Sequence, residues 1–421
     1  DGQVRDLLAS QGLVGRYQLS GPSLAAVGEA LGMTLPATPA FSLRGQLKRE
    51  GPRWSSAVEQ ASIGRSRLAG DFVYQLTPGQ LPRLSGELRG AILWLADLGP
   101  AIGVAQEGQP ATARTASRLL PDRQFDLPSL RSMNADVRIK LDRLESGSPQ
   151  LQAVAPLTAQ LSLQDGVLLI DAIDARLAQG RIAGKLQLDG RGAQALWDTQ
   201  LSLRGLKLEQ WLSQPRANGA PPYVTGRLGG RLDLRGKGRS TAELLASADG
   251  RAALFWTQGT ISHLVVEAAG IDLAEALGLL LRGDHSLAVN CGTADLKIQQ
   301  GLVTPQLMLV DTPDTLFRVE GSISLASEQL DLRARVLPKD ISPLSLRTPL
   351  RVRGTLADPD VSLEKGPLLQ RLLPAALLAL VNPLAALLPL IDLGDQEARD
   401  AVISCRKSIE AGARKAGGSK S

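Results

Sequence analysis

Apolar and polar residues alternate along most of the chain, most regularly between residues 155 and 190. In Leu157–Leu163 every second residue is leucine or alanine, and the residues between them are threonine, glutamine and serine. A two-residue period predicts a β-strand with one apolar and one polar face. Asp165-Gly166 then predicts a tight turn, because both positions readily take positive φ. Two further runs, Val167–Ala175 and Ile182–Leu188, complete a predicted three-stranded meander.

The same pattern recurs over most of the chain, and helical periodicity is rare. Between residues 54 and 76 it predicts three short strands, Trp54–Gln60, Ser62–Leu68 and Gly70–Leu76. Ser23 predicts the start of a helix over Leu24–Leu31. The 43 glycines and 25 prolines favour many short strands joined by turns. Roughly twenty strands and four helices are predicted, so the chain is expected to be mainly β.

So many strands with so few helices leave most of the apolar face without helical cover. Two or three closed sandwiches or barrels with dry cores would supply that cover, and the alternation alone favours this arrangement. Two features favour one long sheet curled into a groove. Aromatic residues, which usually anchor small sandwich cores, are only 3% of the chain. Glycine also recurs at inward positions, where it lets a sheet bend and leaves room, at Gly45, Gly86, Gly184 and Gly354.

Breaks in the pattern divide the chain into five predicted parts. A polar stretch without periodicity follows the first strands and predicts an exposed linker. The last part begins with an apolar stretch that three prolines interrupt. The parts are an N-terminal β-block with a leading helix (1–104), the linker (105–124), a central β-block (125–214), a third β-block with an inserted helix at 265–281 (215–366), and apolar C-terminal helices with a basic tail (367–421).

The residue types that most enzymes need are scarce or scattered. Only two histidines are present, His263 and His285, and no phosphate-binding glycine motif occurs. Asp165, Asp189 and Asp249 lie in turns, where aspartate is expected for backbone reasons. The two cysteines lack the short spacing of a zinc site. We therefore expect no enzyme activity, no catalytic residues, no metal and no cofactor.

The charge pattern argues against a nucleic-acid partner. The formal net charge is +5. It is spread thinly, and no dense cluster of lysine and arginine with interleaved aromatic residues occurs, which is the pattern expected of a nucleic-acid surface.

Short glycine-containing motifs occur in a fixed order along the first and third blocks. Those of the first block are Gly21-Pro22-Ser23-Leu24, Leu35-Pro36, Phe41-Ser42-Leu43-Arg44-Gly45, Gly64-Arg65-Ser66 before Leu68-Ala69-Gly70, and Ala96-Asp97-Leu98-Gly99-Pro100. Those of the third block are Gly236-Lys237-Gly238-Arg239-Ser240 before Leu244-Leu245-Ala246, Asp249-Gly250, Gly259-Thr260-Ile261, and Arg353-Gly354-Thr355-Leu356 before Asp358-Pro359. No single motif is specific. In this order, over nearly the whole chain, they resemble the AsmA family.

The resemblance implies an envelope protein of Gram-negative bacteria whose bulk lies in the periplasm. It also implies kinship with TamB-like and other bridge-like lipid-transfer proteins, whose repeated β-units form a groove lined with apolar residues. The sequence, which starts at Asp1, shows no membrane anchor, and we expect the full-length protein to carry an N-terminal one in the inner membrane. The expected fold is therefore a mainly β chain whose long antiparallel sheet of repeated hairpins curls into an apolar groove, with a few peripheral and C-terminal helices.

The function that the resemblance implies, and that an apolar groove suits, is to carry phospholipid or another acyl lipid along the groove, in support of outer-membrane lipid homeostasis and assembly. A periplasmic scaffold that affects outer-membrane protein assembly through protein contacts, without lipid, is the alternative. A surface adhesin or β-solenoid is a third, and the sequence lacks the fixed period of about 20–30 residues that a solenoid shows. The residues expected to line the groove in the central block are Leu161, Leu163, Ile182, Leu186, Leu188, Trp197, Leu201 and Leu203.

The periplasmic location that the resemblance implies bears on the redox state of the two cysteines. In an oxidising periplasm, Cys291 and Cys405 are expected to form a disulfide. Two independent buried thiols are the alternative.

The apolar stretch Pro367–Leu393 is long enough to cross a bilayer. Its internal prolines favour two shorter helices instead, at about Leu368–Leu380 and Leu384–Leu390. We expect these helices either to contact a membrane surface at the end of the groove or to plug the last strands.

Overall fold

The described part of the chain forms two compact units. A computed structural model describes residues 2–5, 12–31, 38–98, 120, 122, 124–146, 152–212, 214, 222–262, 286–313, 315–339, 349–364 and 405. The first unit comprises residues 1–201 and 233–248, and the second comprises residues 202–232 and 249–421. The helices predicted at 265–281, 368–380 and 384–390 lie outside the described residues.

Strands dominate both units. They are β1 (Gly2–Arg5), β2 (Gly12–Gly21), β3 (Phe41–Glu50), β4 (Arg53–Ile63), β5 (Ser66–Gln75), β6 (Arg83–Trp94), β7 (Asn134–Leu141), β8 (Leu144–Glu145), β9 (Leu157–Gln164), β10 (Val167–Leu177), β11 (Gly180–Asp189), β12 (Ala195–Lys207), β13 (Val224–Gly238), β14 (Asp249–Ser262), β15 (Ser286–Val289), β16 (Cys291–Gln299), β17 (Leu302–Asp311), β18 (Thr315–Ser324), β19 (Gln329–Pro338), β20 (Leu350–Thr355) and β21 (Pro359–Leu363). The described helices are short: α1 (Leu24–Leu31), α2 (Leu127–Leu130), α3 (Leu208–Trp211) and α4 (Thr241–Ala246), with a 3-10 turn at Leu95–Leu98. The predicted mainly β fold is confirmed.

The first unit is built on a long sheet of mostly antiparallel hairpins, in which β6 pairs in parallel with β7 and with β8. Strands β1 to β6 each pair antiparallel with the next. Strand β6 then pairs with β7 in parallel, and β7, β9, β10 and β11 continue in antiparallel order. The sheet is therefore mixed, where the sequence predicted antiparallel pairing alone. A long connection between β6 and β7 makes this possible, because parallel neighbours need a crossover and a tight hairpin cannot supply it.

The second unit repeats the hairpin arrangement. Strand β14 pairs with β16, and β16 to β21 each pair antiparallel with the next strand. Strand β15 pairs with the last residues of β14. Strands β12 and β13 contribute residues to both units.

Two strands, β4 and β5, replace the three short ones predicted between residues 54 and 76. The partners of β4 in β5 shift at a bulge, where Val58 pairs with Gly70 but Ala61 pairs with Leu68. An extra residue in one strand changes the phase of its alternation. The pattern therefore breaks inside β4 although the strand continues.

The first-block motifs meet at a turn that a buried carboxylate holds. One oxygen of Asp97 accepts hydrogen bonds from the backbone N–H groups of Arg65 (3.0 Å) and Ser66 (2.8 Å) and from the Ser66 hydroxyl (2.6 Å). Gly64 is required here, because its φ is +53° and a Cβ atom would lie 2.2 Å from Asp97 Oδ1. A buried carboxylate is tolerated when its acceptors are satisfied in this way. The motifs thus fasten a hairpin.

A third-block motif starts helix α4. The Ser240 hydroxyl accepts a hydrogen bond from the Glu243 backbone N–H at 3.1 Å, and Glu243 Oε2 accepts one from the Arg239 backbone N–H at 2.8 Å. The pair satisfies the Glu243 backbone N–H of the first helical turn and ties the residue before the cap to the same turn.

Four glycines let neighbouring strands approach more closely than any other residue allows. A Cβ atom at Gly45, Gly86, Gly184 or Gly321 would lie 2.2, 2.1, 2.0 or 2.1 Å, respectively, from a carbonyl oxygen of a neighbouring strand. Gly184 also has a φ of +153°, which L-residues rarely adopt. From the sequence, glycines at inward positions are expected to leave room on the inner side of the sheet. In the structure the strands fill that room.

A disulfide links two distant parts of the second unit. Cys291 and Cys405, 114 positions apart, are bonded at an S–S distance of 1.99 Å, and both side chains are buried. The bond joins the first residue of β16 to the C-terminal part of the chain.

Replacing Gly184 with alanine is expected to lower the free energy of unfolding by about 2–4 kcal/mol, because the new methyl group meets a carbonyl and the backbone φ is unfavourable. Gly51→Ala is the matched control: its φ is +58° but no heavy atom lies within 4 Å of the added Cβ. In that control the free energy of unfolding should fall by only about 1 kcal/mol. Urea unfolding of both variants measures the difference, and equal losses would contradict the close-approach argument.

Thiol labelling of the denatured, non-reduced protein is expected to modify neither cysteine. After reduction both should react, which provides the control. In the chain-entropy model a loop this long contributes about 4–5 kcal/mol, so Cys291→Ser should unfold at a lower urea concentration. Two reactive thiols before reduction would rule out the bond.

Candidate functional site

The strand register of the first unit aligns one apolar face across eight strands, β3 to β7 and β9 to β11. Directly paired residues lie on the same side of a sheet. The first row across the strands is Arg49, Trp54, Tyr74, Leu84, Ala135, Leu163, Leu168 and Leu188. The second row is Leu47, Ser56, Phe72, Gly86, Val137, Leu161, Ile170 and Leu186. A third row, over β3 to β9, is Gly45, Val58, Gly70, Leu88, Ile139 and Ala159.

These three rows are called the apolar face below. At a strand spacing of about 4.8 Å, eight strands extend it over roughly 34 Å. Most of its large aliphatic side chains, such as Leu161, Ile170 and Leu186, are only partly buried. The face therefore offers apolar surface that the described residues do not cover completely.

At one end of the apolar face, the strand ends contribute to a buried hydrophobic cluster. Phe41, Ile63, Leu68 and Leu141 form a buried cluster. Leu24 and Val27 of helix α1 pack against this cluster. The helix thus covers the strand ends beyond the third row, and the first two rows lie at the opposite end of strand β3.

The structure places the predicted lining residues as follows. Leu161, Leu163, Leu186 and Leu188 belong to the first two rows, and Ile182 pairs with Ala175 on the same side of β11. Trp197 and Leu201 lie on the first part of β12, where the backbone of Leu201 comes close to Gly184. Leu203 belongs to the second unit. Contact of these residues with a lipid stays a prediction.

Polar groups on the apolar face are confined to its first strands. The Tyr17 hydroxyl and the Ser56 hydroxyl are 2.9 Å apart and share a hydrogen bond. Tyr74 is only 8% exposed, and this burial raises the pKa of its phenol. The Arg49 guanidinium lies over the Trp54 ring, 4.8 Å from its centroid. From β6 to β11 the first two rows contain only aliphatic residues and a glycine.

The opposite side of the same strands is charged and hydrated. Glu87 lies within 3.1 Å of Lys140 and 3.7 Å of both Arg89 and Arg138. The Lys140 ammonium, which hydrogen-bonds to the carboxylate, lowers the pKa of Glu87, and the two guanidinium groups act in the same direction. The sheet therefore has one wet side and one apolar side, as the alternation predicted.

The second unit carries an apolar side of its own. Phe317, Ala334, Val336 and Leu350 form a buried cluster there. Val310 and Val319 pack against it. The register places Phe317 beside Val336, and Ala334 beside Leu350.

One residue of the apolar face, Arg49, was not among the candidates predicted from the sequence. Arg49 follows Leu43, Gly45 and Leu47 at the two-residue period of strand β3, so it is in phase with apolar residues. A charged residue in that phase is a detectable signal.

The described residues of the first unit form a partly exposed apolar surface. Among them, no group of three or more histidine, cysteine, aspartate or glutamate residues could hold a metal ion. Within the same residues, no helix is long and apolar enough to cross a membrane.

Comparison with known proteins agrees with the motif order. The sequence model of the AsmA family matches residues 19–308. The chain is 33% identical to the AsmA family protein YhjG of Escherichia coli (strain K12) over 416 residues, covering 94% of this chain and 60% of that protein. No solved structure matches the chain. The resemblance is confirmed by these matches: the chain belongs to the AsmA family.

Proposed function

We propose that this chain carries lipid by binding acyl chains along the apolar face, as a non-enzymatic part of a periplasmic envelope protein. The observation that carries the proposal is the register of the first unit, which aligns partly buried aliphatic side chains across eight strands. Each methylene group removed from water contributes about 0.8 kcal/mol, so roughly ten buried methylenes supply on the order of 8 kcal/mol.

Family membership supports the cellular setting of the proposal. The AsmA family is associated with the bacterial envelope. The disulfide between Cys291 and Cys405 fits an oxidising compartment such as the periplasm. Because the chain spans 60% of the length of its relative, the role of the whole protein in outer-membrane lipid homeostasis is part of the proposal.

The gently purified protein is expected to contain co-purified phospholipid, which organic extraction and mass spectrometry would detect. Hydrophobic contact with the face holds the acyl chains. The same protein, delipidated with detergent and mixed with phospholipid vesicles, should regain lipid. Protein that contains no lipid and takes up none would favour the scaffold alternative, in which protein contacts replace lipid cargo.

Leu186→Glu is expected to abolish most lipid uptake while the protein still folds, because the carboxylate interrupts the aliphatic second row and must be desolvated by a bound chain. Gln187→Glu adds the same charge on the exposed side of the same strand. Uptake of a fluorescent acyl lipid and thermal melting are measured for both. Equal uptake by the two variants would exclude the apolar face as the binding surface.

A further inference from the structure

Arg49 is the only charged residue among the sixteen positions of the first two rows. Its direct neighbours on that side are Leu13 and Trp54. Leu47, two positions earlier, shares its side of the strand. A guanidinium group on an apolar surface is stabilised best by an anion, because hydrogen bonds to a charged partner are about twice as strong as neutral ones.

The structure holds this guanidinium in a fixed position. Arg49 is half-buried, and its guanidinium packs over the Trp54 ring, with 4.8 Å between the Arg49 Cζ atom and the ring centroid. Its Nε donates a hydrogen bond to the Gly51 carbonyl at 3.3 Å. Within the described ranges, neither Nη atom donates to another residue and no carboxylate forms an ion pair with it. Two nitrogen donors therefore remain for a ligand.

The acidic residue nearest to Arg49 in sequence forms an ion pair with another residue. Glu50, the next residue, points to the other side of the strand and pairs with Lys48 at 2.6 Å. Lys48 holds the pKa of Glu50 below its usual value. The negative charge closest in sequence is thus already neutralised on the wet side.

The surroundings of Arg49 change from polar to aliphatic across the strands. The Ser56 hydroxyl lies in the second row, next to the row of Arg49, and its partner Tyr17 pairs with Gly45 of the third row. Beyond β5, aliphatic residues and one glycine, Gly86, continue the first two rows as far as β11. This order fits a molecule with an anionic polar end and a long apolar end.

We infer that Arg49, supported by Trp54, is the subsite that binds the phosphate of a phospholipid headgroup, with the acyl chains on the aliphatic part of the apolar face. The inference rests on the proposed function and adds a polar anchor to it. The anchor fixes which end of the lipid lies at β3 and β4, and it makes the face selective for phosphate-bearing lipids.

The test uses the full chain, delipidated, with dioleoylphosphatidylglycerol and dioleoylglycerol as probes in detergent, read by native mass spectrometry. The two lipids have the same acyl chains, and only the first carries a phosphate. R49Q is expected to weaken phosphatidylglycerol binding about tenfold, which corresponds to one lost charge-assisted contact, and to leave dioleoylglycerol binding unchanged. R49K should retain more phosphatidylglycerol than R49Q, because it keeps the charge.

R53Q is the matched control. Arg53 is exposed at the end of the same hairpin, where its removal takes away an equal charge. It should bind both lipids as the unmodified chain does, and thermal melting confirms that each variant folds. Equal losses of phosphatidylglycerol binding in R49Q and R53Q would indicate a general effect of positive charge and not a specific subsite. That result would overturn the inference.

Three further outcomes separate the inference from the proposed function. If the unmodified chain binds both lipids and R49Q changes neither, the subsite is wrong and the apolar face stands. If the unmodified chain binds neither lipid, both are wrong. If glycerol 3-phosphate alone binds with the same dependence on Arg49, the site recognises a free phosphate ester and not a lipid headgroup.

Discussion

The close approach of neighbouring strands at a few glycines is the constraint on which the rest of the sheet depends. A Cβ atom at Gly86 would lie 2.1 Å from the Asp71 carbonyl oxygen, so the register between β5 and β6 exists only because that atom is missing. The same constraint shapes the apolar face, because the Phe72 ring packs beside both Gly86 and Gly70. Aromatic side chains thus occupy places next to glycine, and the larger aliphatic residues form the remainder of each row.

The sequence predicted most of this architecture from two elementary signals. Strict alternation in Leu157–Leu163 and the turn at Asp165-Gly166 correspond to β9, β10 and the hairpin between them. Alternation failed where a bulge changes its phase, as in β4 after Val58. It also could not predict the parallel pair of β6 and β7, since strand direction depends on the path of the connection and not on the residues of the strands.

The sequence predicted only part of the candidate site, because alternation gives the side of a strand on which a residue lies but not its neighbours on adjacent strands. Positions such as Leu161 and Leu186 follow from alternation alone, and the register places them in one row. Arg49 required knowledge of its neighbours, because the role of its guanidinium depends on Trp54, which is five residues later in sequence but directly opposite in the hairpin. The family motifs are informative about structure: Asp97 and Gly64 hold a turn, and neither lies in the rows of the apolar face.

The parallel pair of β6 and β7 has a consequence for how the first unit assembles. The hairpins of β3 to β6 join residues at most eight positions apart at their turns, whereas Arg83 pairs with Asn134, fifty-one positions later. Closing that loop costs more chain entropy than closing a hairpin, and contacts distant in sequence form more slowly. Strands β3 to β6 and β9 to β11 are therefore two segments of short-range hairpins, and β7 is the strand that joins them.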